Sequence, residues 1–347
     1  MSAVLGDLLA GGSLSVGQAS AVFTEILSGS ATPAQVAGIA VALRSRGETV
    51  DEMTGFVQAM LALSEPVPLP TGVVESLVDT CGTGGDGSHS INVSTLAAFT
   101  VAAAGVKVCK HGGRAASSRT GSADVLEALG VNVELGPSGV AACVEGAGIG
   151  FCFAPRFHPA MRHAAPVRRE LGVPTIFNFL GPLANPARVR RQVIGVSDFA
   201  MGEKMVAVLA AMGSERVLVV HGDDGMDELS ITAGSTVWDF ERSVGEVRTY
   251  RVEPSALGLA PAVLADLTGG GPRENAEIAK LVLSGERGPR GDVVALNAAA
   301  ALVVAGRSAS IEEGLALARG VLESGAPMEV LDRLVRISNL VEATPEP

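Results

Sequence analysis

The sequence predicts an α/β protein in two parts, a small helical unit followed by a larger unit with a mixed, mostly parallel central sheet. Three observations predict it. Helix-start chemistry repeats through the first 65 residues, a proline-rich stretch follows, and short apolar runs then alternate with longer helical patterns. In the first part, Ser15…Gln18, Thr32-Pro33…Gln35 and Thr49…Glu52 each place a hydroxyl three residues before a Gln or Glu, so that cap and third residue satisfy each other's backbone N–H groups. Pro33 falls at a first helical position, where its missing N–H costs nothing. Gly29 and Gly47 fall where helices should stop. Val36, Ile39, Ala40 and Leu43 share one helical face. Pro66-Val-Pro-Leu-Pro70 closes the unit as a stiff linker. From Val74 onward, segments 77–81, 106–109, 148–154, 193–196 and 216–220 read as buried strands, with helices over 93–104, 122–129, 200–212 and 273–284. The last residues, 344–347, read as a loose tail.

Of the 347 residues, 47% are apolar and only 3% aromatic, so Ala, Val, Leu and Gly must fill the core. The formal charge of −11 argues against a surface for nucleic acid or anionic membranes, both of which need a positive field. Cys81, Cys109, Cys143 and Cys152 lie in apolar stretches without metal-ligand spacing and read as small buried hydrophobes. No secretory signal is visible at the start of the chain. The apolar stretches 96–106 and 293–305 are interrupted or too short to span a bilayer. The expectation is a reduced, cytoplasmic protein.

The chemistry concentrates in three loops. Asp79-Thr80-Cys81-Gly82-Thr83-Gly84-Gly85-Asp86-Gly87 follows a strand and precedes a helix beginning at Asn92. Glycines let backbone N–H groups approach a phosphate, and the next helix N-terminus adds its dipole. Gly82, Gly84 and Gly87 also satisfy the dinucleotide pattern G-x-G-x-x-G, but no Asp or Glu lies between Asp86 and Asp124 to hold a ribose. The Lys-Ser/Thr ending of a Walker loop is absent too. Asp86 would repel a bare pyrophosphate, yet it can accept hydrogen bonds from sugar hydroxyls. Read alone, the loop also fits a tight turn.

Ser94 and Thr95, read alone, are helix caps. Lys110-His111-Gly112-Gly113-Arg114-Ala115-Ala116-Ser117-Ser118 follows the strand expected to end at Cys109 and brings two cations and two hydroxyls to one loop. By itself this is a solvated basic loop or an anion cradle. Paired with the first loop it points to a polyphosphate. Asp227-Glu228, just past another strand, would alone be a solvated turn; beside a polyphosphate site it suits magnesium, which joins carboxylates to phosphates. The histidines are too dispersed for zinc. His111 could contact substrate, while His89, His158, His163 and His221 fit structural roles equally well.

With these elements in place, the sequence resembles the anthranilate phosphoribosyltransferases of tryptophan biosynthesis through nearly its whole length. Asp79–Gly87, Asn92–Thr95, Lys110–Ser118, Gly121–Gly130, Phe153–Met161, Val167–Gly172, Asn178–Pro186 and Asp227-Glu228 carry the resemblance, in the right order. It implies a helical domain of residues 1–70 with a returning segment near 170–190, hinged to an α/β domain of residues 74–169 and 191–343, and homodimers joined through the helical domains. It also implies 5-phosphoribosyl 1-diphosphate contacts at Gly82, Gly85, Asp86, Ser90, Asn92, Val93, Ser94, Thr95, Lys110, His111, Gly112, Gly113, Arg114, Ala115, Ala116, Ser117, Ser118 and Ser122. Magnesium (Mg2+) falls to Ser94, Asp227 and Glu228, and anthranilate to Gly82 and Arg168. One position departs: the family loop reads Lys-His-Gly-Asn-Arg, with the Asn contacting anthranilate, and here that place is Gly113.

The implied reaction breaks the C1–O bond to pyrophosphate while the anthranilate amine adds to C1, through an oxocarbenium-like sugar. Lys110 would stabilise the leaving group. Arg168 would orient the acceptor carboxylate, and no general base is required. The competing readings are a related transferase for another aromatic amine, a pyrimidine nucleoside phosphorylase, and a non-catalytic binding paralogue.

Overall fold

The structure, a computed structural model, describes residues 1–115 and 119–341. Four helices open the chain: Ser2–Leu9, Val16–Leu27, Pro33–Arg46 and Val50–Ala62. The three predicted caps all form, reciprocally in each case. In the second, the Gln35 amide donates to Thr32 Oγ1 at 3.3 Å while Thr32 N–H donates to Gln35 Oε1 at 2.9 Å. The third does more than cap. Glu52 is buried, and its carboxylate accepts from Thr49 N–H at 2.9 Å, from Leu14 N–H at 2.9 Å and from the Arg46 guanidinium. One side chain thus ties together three helix ends. Phe23 stacks on Phe56 with centroids 4.7 Å apart. Gly55 permits that approach, because a Cβ there would run into the Val16 carbonyl and Ala19.

The larger part is a seven-stranded sheet, with β1 Val78–Gly82, β2 Val108–Gly112, β3 Ile149–Phe153, β4 Arg191–Gly195, β5 Arg216–Gly222, β6 Ser235–Glu241 and β7 Val247–Val252. Their order is β3-β2-β1-β4-β5-β6-β7, with β1 to β5 parallel and the β5-β6 and β6-β7 pairs antiparallel. Alternation along the strands separates two cores. Val193, Leu218, Val220 and Val237 join helices Val93–Ala103 and Pro289–Val304 on one face. Ile194, Val217, Val219 and Trp238 face the other way, into a core shared with helix Phe199–Ala211 and the N-terminal helices. That second core also takes in the short helices Ala165–Leu171 and Phe177–Leu183 through Val167, Phe177, Phe179 and Leu180. Helix Val50–Ala62 packs on helix Phe199–Ala211, and each adds two methionines to that core, Met53 and Met60 from the first and Met201 and Met205 from the second.

Most predicted elements fall within one or two residues of the observed ones. The informative difference is β2. It was expected to stop at Cys109, yet it continues to Gly112, because Lys110, His111 and Gly112 stay in register with Phe151, Cys152 and Phe153 of β3. Lys110 and His111 are therefore buried strand residues and not loop residues. All four cysteines are buried and free, as expected; burial pushes the Cys143 thiol up to about 12. The segment 344–347 lies outside the described residues. Among those described, no helix is long and apolar enough to cross a membrane.

Strand order reverses at β1: the chain steps outward to β2 and β3, then returns to the far side as β4. The loops leaving the carboxyl ends of β1 and β4 are tied together, Ser197 N–H donating to Thr83 Oγ1 at 3.1 Å and the Ser197 hydroxyl to the Gly84 carbonyl at 2.9 Å. The cleft opens at this carboxyl end of the sheet, the side on which open α/β sheets bind ligands.

Burial works against the Glu52 carboxylate, but hydrogen bonds from Arg46, Thr49 and Leu14 outweigh it and hold the carboxyl below its ordinary value. The stability this adds is present above the ordinary Glu range and is lost as pH falls through the lowered value. Glu52→Gln is expected to cost about 1.5–3 kcal/mol at pH 7, the worth of hydrogen bonds to a charged group. In thermal melts followed by circular dichroism, the gap to the wild type should narrow as the pH is lowered toward ~4, where glutamate begins to protonate.

Candidate active site

Four of the parallel strands end in glycine: Gly82, Gly112, Gly195 and Gly222. The loops after Gly82, Gly112 and Gly222 line a cleft of about 280 Å³. The Gly82–Gly87 loop can make its turns because Gly84, Gly85 and Gly87 adopt φ of 67°, 79° and 69°, the left-handed region open chiefly to glycine. Gly82 and Gly195 serve a different end. A Cβ on Gly82 would overlap the Asp227 carboxylate, and one on Gly195 would overlap the Asp227 backbone carbonyl. The two glycines are the bed on which the Asp227-Glu228 loop lies.

That loop brings an acidic pair to the helix Val93–Ala103 N-terminus. Asp227 Oδ2 accepts from Gly84 N–H at 2.7 Å, and Glu228 Oε1 accepts from Ser94 N–H at 3.1 Å. Burial, and then the neighbouring Asp86 charge, push the Asp227 carboxyl up to about 7. Burial and Asp227 raise Glu228 well above its usual range, against the pull of Lys110. The Lys110 ammonium donates to the Thr80 carbonyl and, at 3.2 Å, to Ser94 Oγ. Asp86 is engaged from its own loop, accepting from Ser88 N–H at 3.2 Å and from the Ser88 hydroxyl at 2.6 Å.

Crowded carboxylates with raised pKa values are the electrostatic condition that a divalent cation relieves. Among the described residues no three or more His, Cys, Asp and Glu side chains group to hold a metal. Two carboxylates and the Ser94 hydroxyl at an open cleft instead fit magnesium, which keeps waters and takes phosphate oxygens as further ligands.

The carboxyl end of β2 forms the next stretch of wall. His111 Nδ1 donates to the Gly181 carbonyl at 3.0 Å, and its ring lies 5.1 Å from that of His158. Burial, then His158, lower the His111 pKa to about 3, so the imidazole is neutral at pH 7. Fully buried Asp79 anchors this end: it accepts from His111 N–H at 3.2 Å and from Asn185 Nδ2 at 2.8 Å, and Asn185 also donates to the Cys109 carbonyl at 2.8 Å. Arg114 lines the cleft but is committed elsewhere, paired with Glu127 and Asp124 and lying over the Phe153 ring. Ala115 N–H donates to Asp124 Oδ2 at 3.0 Å.

Of the residues expected at the site, Gly82, Gly85, Asp86, Ser90, Asn92, Val93, Ser94, Lys110, His111, Gly112, Gly113, Arg114, Ala115, Ser122, Arg168, Asp227 and Glu228 line this one cleft. Thr95 does not. It is buried behind the wall, its hydroxyl donating to Ser122 Oγ at 3.1 Å. Ala116, Ser117 and Ser118 lie outside the described residues. Arg168 comes from helix Ala165–Leu171; burial lowers its pKa, and no carboxylate pairs with it among the described residues. A partly buried cation with no carboxylate partner suits an acidic ligand.

Residues 2–64 match the glycosyl transferase family, helical bundle domain, and residues 74–328 match the glycosyl transferase family, a/b domain. An anthranilate phosphoribosyltransferase of Thermomicrobium roseum is 57% identical over 271 residues, 78% of either chain. That of Symbiobacterium thermophilum is 52% identical over 267 residues, 77% of this chain and 78% of the other. The chain belongs to the anthranilate phosphoribosyltransferase family. Among solved structures, the anthranilate phosphoribosyltransferase of Thermus thermophilus matches with a TM-score of 0.90 at 45% identity, over 96% of this chain and 99% of the other. The Saccharomyces cerevisiae enzyme in complex with PRPP and Mg matches with a TM-score of 0.88 at 29% identity, over 97% of each chain.

For a member of the anthranilate phosphoribosyltransferase family, the supporting residues deserve as much notice as the lining. Gly195 was not singled out, although a glycine closing an apolar strand run was the available signal. Asn275 was invisible to local pattern. It donates to Asn92 Oδ1 at 2.9 Å from 183 residues away, while Asn92 Nδ2 donates to the Thr120 carbonyl at 3.0 Å.

Because Asp227 titrates higher in the folded chain than in the unfolded one, its ionisation removes stability as pH rises from the ordinary aspartate range through about 7. Asp227→Asn should therefore melt at a higher temperature than the wild type in EDTA, by more at pH 8 than at pH 6. The same variant should lose the stabilisation that added Mg2+ gives the wild type; calorimetry with and without Mg2+ checks both.

Proposed function

We infer that this chain transfers the phosphoribosyl group of 5-phosphoribosyl 1-diphosphate to the amine of anthranilate, giving N-(5-phosphoribosyl)anthranilate and pyrophosphate, a step of tryptophan biosynthesis. The observation that carries the reading is the meeting, in one cleft, of a glycine-rich anion loop, an acidic pair suited to magnesium and an unpaired arginine. The sequence identity to anthranilate phosphoribosyltransferases points the same way, and nothing favours a nucleoside phosphorylase, another acceptor amine or a non-catalytic paralogue.

The reaction separates charge: the leaving diphosphate becomes more negative and the ribose C1 more positive. The Gly82–Gly87 amides and the wall formed by Lys110–Ala115 and Ser122 would cradle the diphosphate, with Asp86 and Ser90 left for polar contact to substrate. Magnesium, when bound at Ser94, Asp227 and Glu228, supplies charge neutralisation to the diphosphate. Lys110 keeps the Ser94 hydroxyl in place and balances Glu228. Arg168 would pair with the acceptor carboxylate beside Gly82, leaving the amine to face C1. That amine is already a nucleophile, so no base is assigned. His111, neutral above pH ~3, contributes no proton at physiological pH. Movement of the helical part toward the sheet would exclude water from the activated sugar.

The domain limits proposed are residues 1–70 with a segment near 170–190 for the helical part, and 74–169 with 191–343 for the α/β part. A cytoplasmic homodimer joined through the helical part completes the proposal; exposed Leu9, Val41 and Leu63 on the N-terminal helices and their ends support that surface.

Mixing the protein with phosphoribosyl diphosphate, Mg2+ and anthranilate should consume anthranilate fluorescence; no turnover by folded protein would sink the assignment. Arg168→Ala should raise KM for anthranilate ~10–100-fold, the worth of a charged hydrogen bond, with KM for the diphosphate little changed. Gly113→Asn has room, since the nearest atom to a Cβ there is Ala154 Cβ at 4.0 Å. It should lower KM for anthranilate several-fold in steady-state assays, consistent with about 1 kcal/mol for one hydrogen bond.

A further inference from the structure

We propose that Asn178 is an acceptor-binding residue, its side-chain amide donating to the same carboxylate that Arg168 pairs with; the proposal rests on the anthranilate reading above. Both residues line the cleft from the helical segment, Arg168 from helix Ala165–Leu171 and Asn178 from helix Phe177–Leu183.

The orientation of the Asn178 amide is decided by its neighbour. Thr175 N–H points at the side chain at 3.1 Å, and the atom that receives a donor must be the oxygen. Asn178 N–H donates back to the Thr175 carbonyl at 2.9 Å, so the turn is locked from both sides. Nδ2 is left over. It has no partner among the described residues, and it is not among the buried polar atoms lacking one, which leaves it accessible at the cleft.

The chemistry of the leftover group selects what it binds. With Oδ1 spent on Thr175, Asn178 offers the cleft only N–H, and Arg168 likewise offers only N–H donors. Two donors without an acceptor match a carboxylate and do not match an amine, which would need its own hydrogens accepted. An acceptor carrying a carboxylate next to its amine would thus be gripped by the acid end while the amine stays free to attack. Gly113 brings no side chain to the cleft, and the Asn178 amide is there to supply a polar contact that Gly113 does not.

Steady-state kinetics on the full chain with Mg2+, varying anthranilate and phosphoribosyl diphosphate separately, would test this with Asn178→Ala and Asn178→Asp. Aspartate keeps an oxygen for Thr175 but aims a negative charge at the acceptor carboxylate. A purely structural cap predicts Asp close to wild type and Ala impaired. Acceptor binding predicts the reverse order: KM for anthranilate up ~10-fold in Ala and further in Asp, with KM for the diphosphate within about twofold. Melting temperatures near that of the wild type for Asp would secure the comparison. An Asp variant with wild-type KM for anthranilate, or one in which both KM values rise together, overturns the proposal. Wild-type turnover of anthranilate in the same assay tests the underlying reading separately.

Discussion

Three carboxylates, those of Asp86, Asp227 and Glu228, crowd one corner of the cleft, and most of the local structure exists to keep them there. Burial, and then the like charges at close range, raise the pKa values of Asp227 and Glu228. The opposition is offset piece by piece. Gly84 and Ser94 donate their backbone N–H groups, Lys110 supplies a positive charge from the floor, and Gly82 and Gly195 yield the space that the loop fills. A chain tolerates such an arrangement where a cation and a polyphosphate complete it.

The completion depends on rigidity of different kinds on the two sides. Lys110 and His111 are strand residues, so their positions follow from hydrogen-bond register with β3 and from Asp79 beneath, with no loop free to wander. Asn185 extends the same anchoring to the chain returning from the short helices, bonding β1 and β2 at once. That wall of the cleft is the carboxyl end of the sheet's inner strands. Arg168 and Asn178, at the other end, belong to helices whose apolar faces sit in the core of the N-terminal bundle. The two ends of the cleft are carried by two bodies that share one apolar boundary.

Much of this was legible in the sequence because it is local. A capping box spans four residues and a glycine-rich turn six, and both declare themselves without knowledge of the fold. Lys110 was recognised but misplaced, since only pairing with Phe151 reveals that β2 runs on. Arg114 reads from sequence as one of two cations of an anion loop, and its pairing with Glu127 and Asp124 of the next helix appears only in the fold. Thr95 looked like a lining hydroxyl until the helix turn put it behind Ser122. The strands β6 and β7 escaped because they add antiparallel to a pattern that had been alternating strand and helix. Asn275 and Asn92 meet across most of the chain, a relation no window of sequence contains.

The boundary between the two bodies has a composition of its own. Met53 and Met60 on one helix and Met201 and Met205 on its neighbour are buried in the core that the bundle shares with one face of the sheet. Methionine is unbranched, with three rotatable bonds and a soft sulfur, and it refills irregular space as its surroundings shift. Branched Val57, Val206 and Leu209 from the same two helices share that core. The four methionines are thus the pliable filling of a core otherwise built largely of branched, aromatic and small side chains.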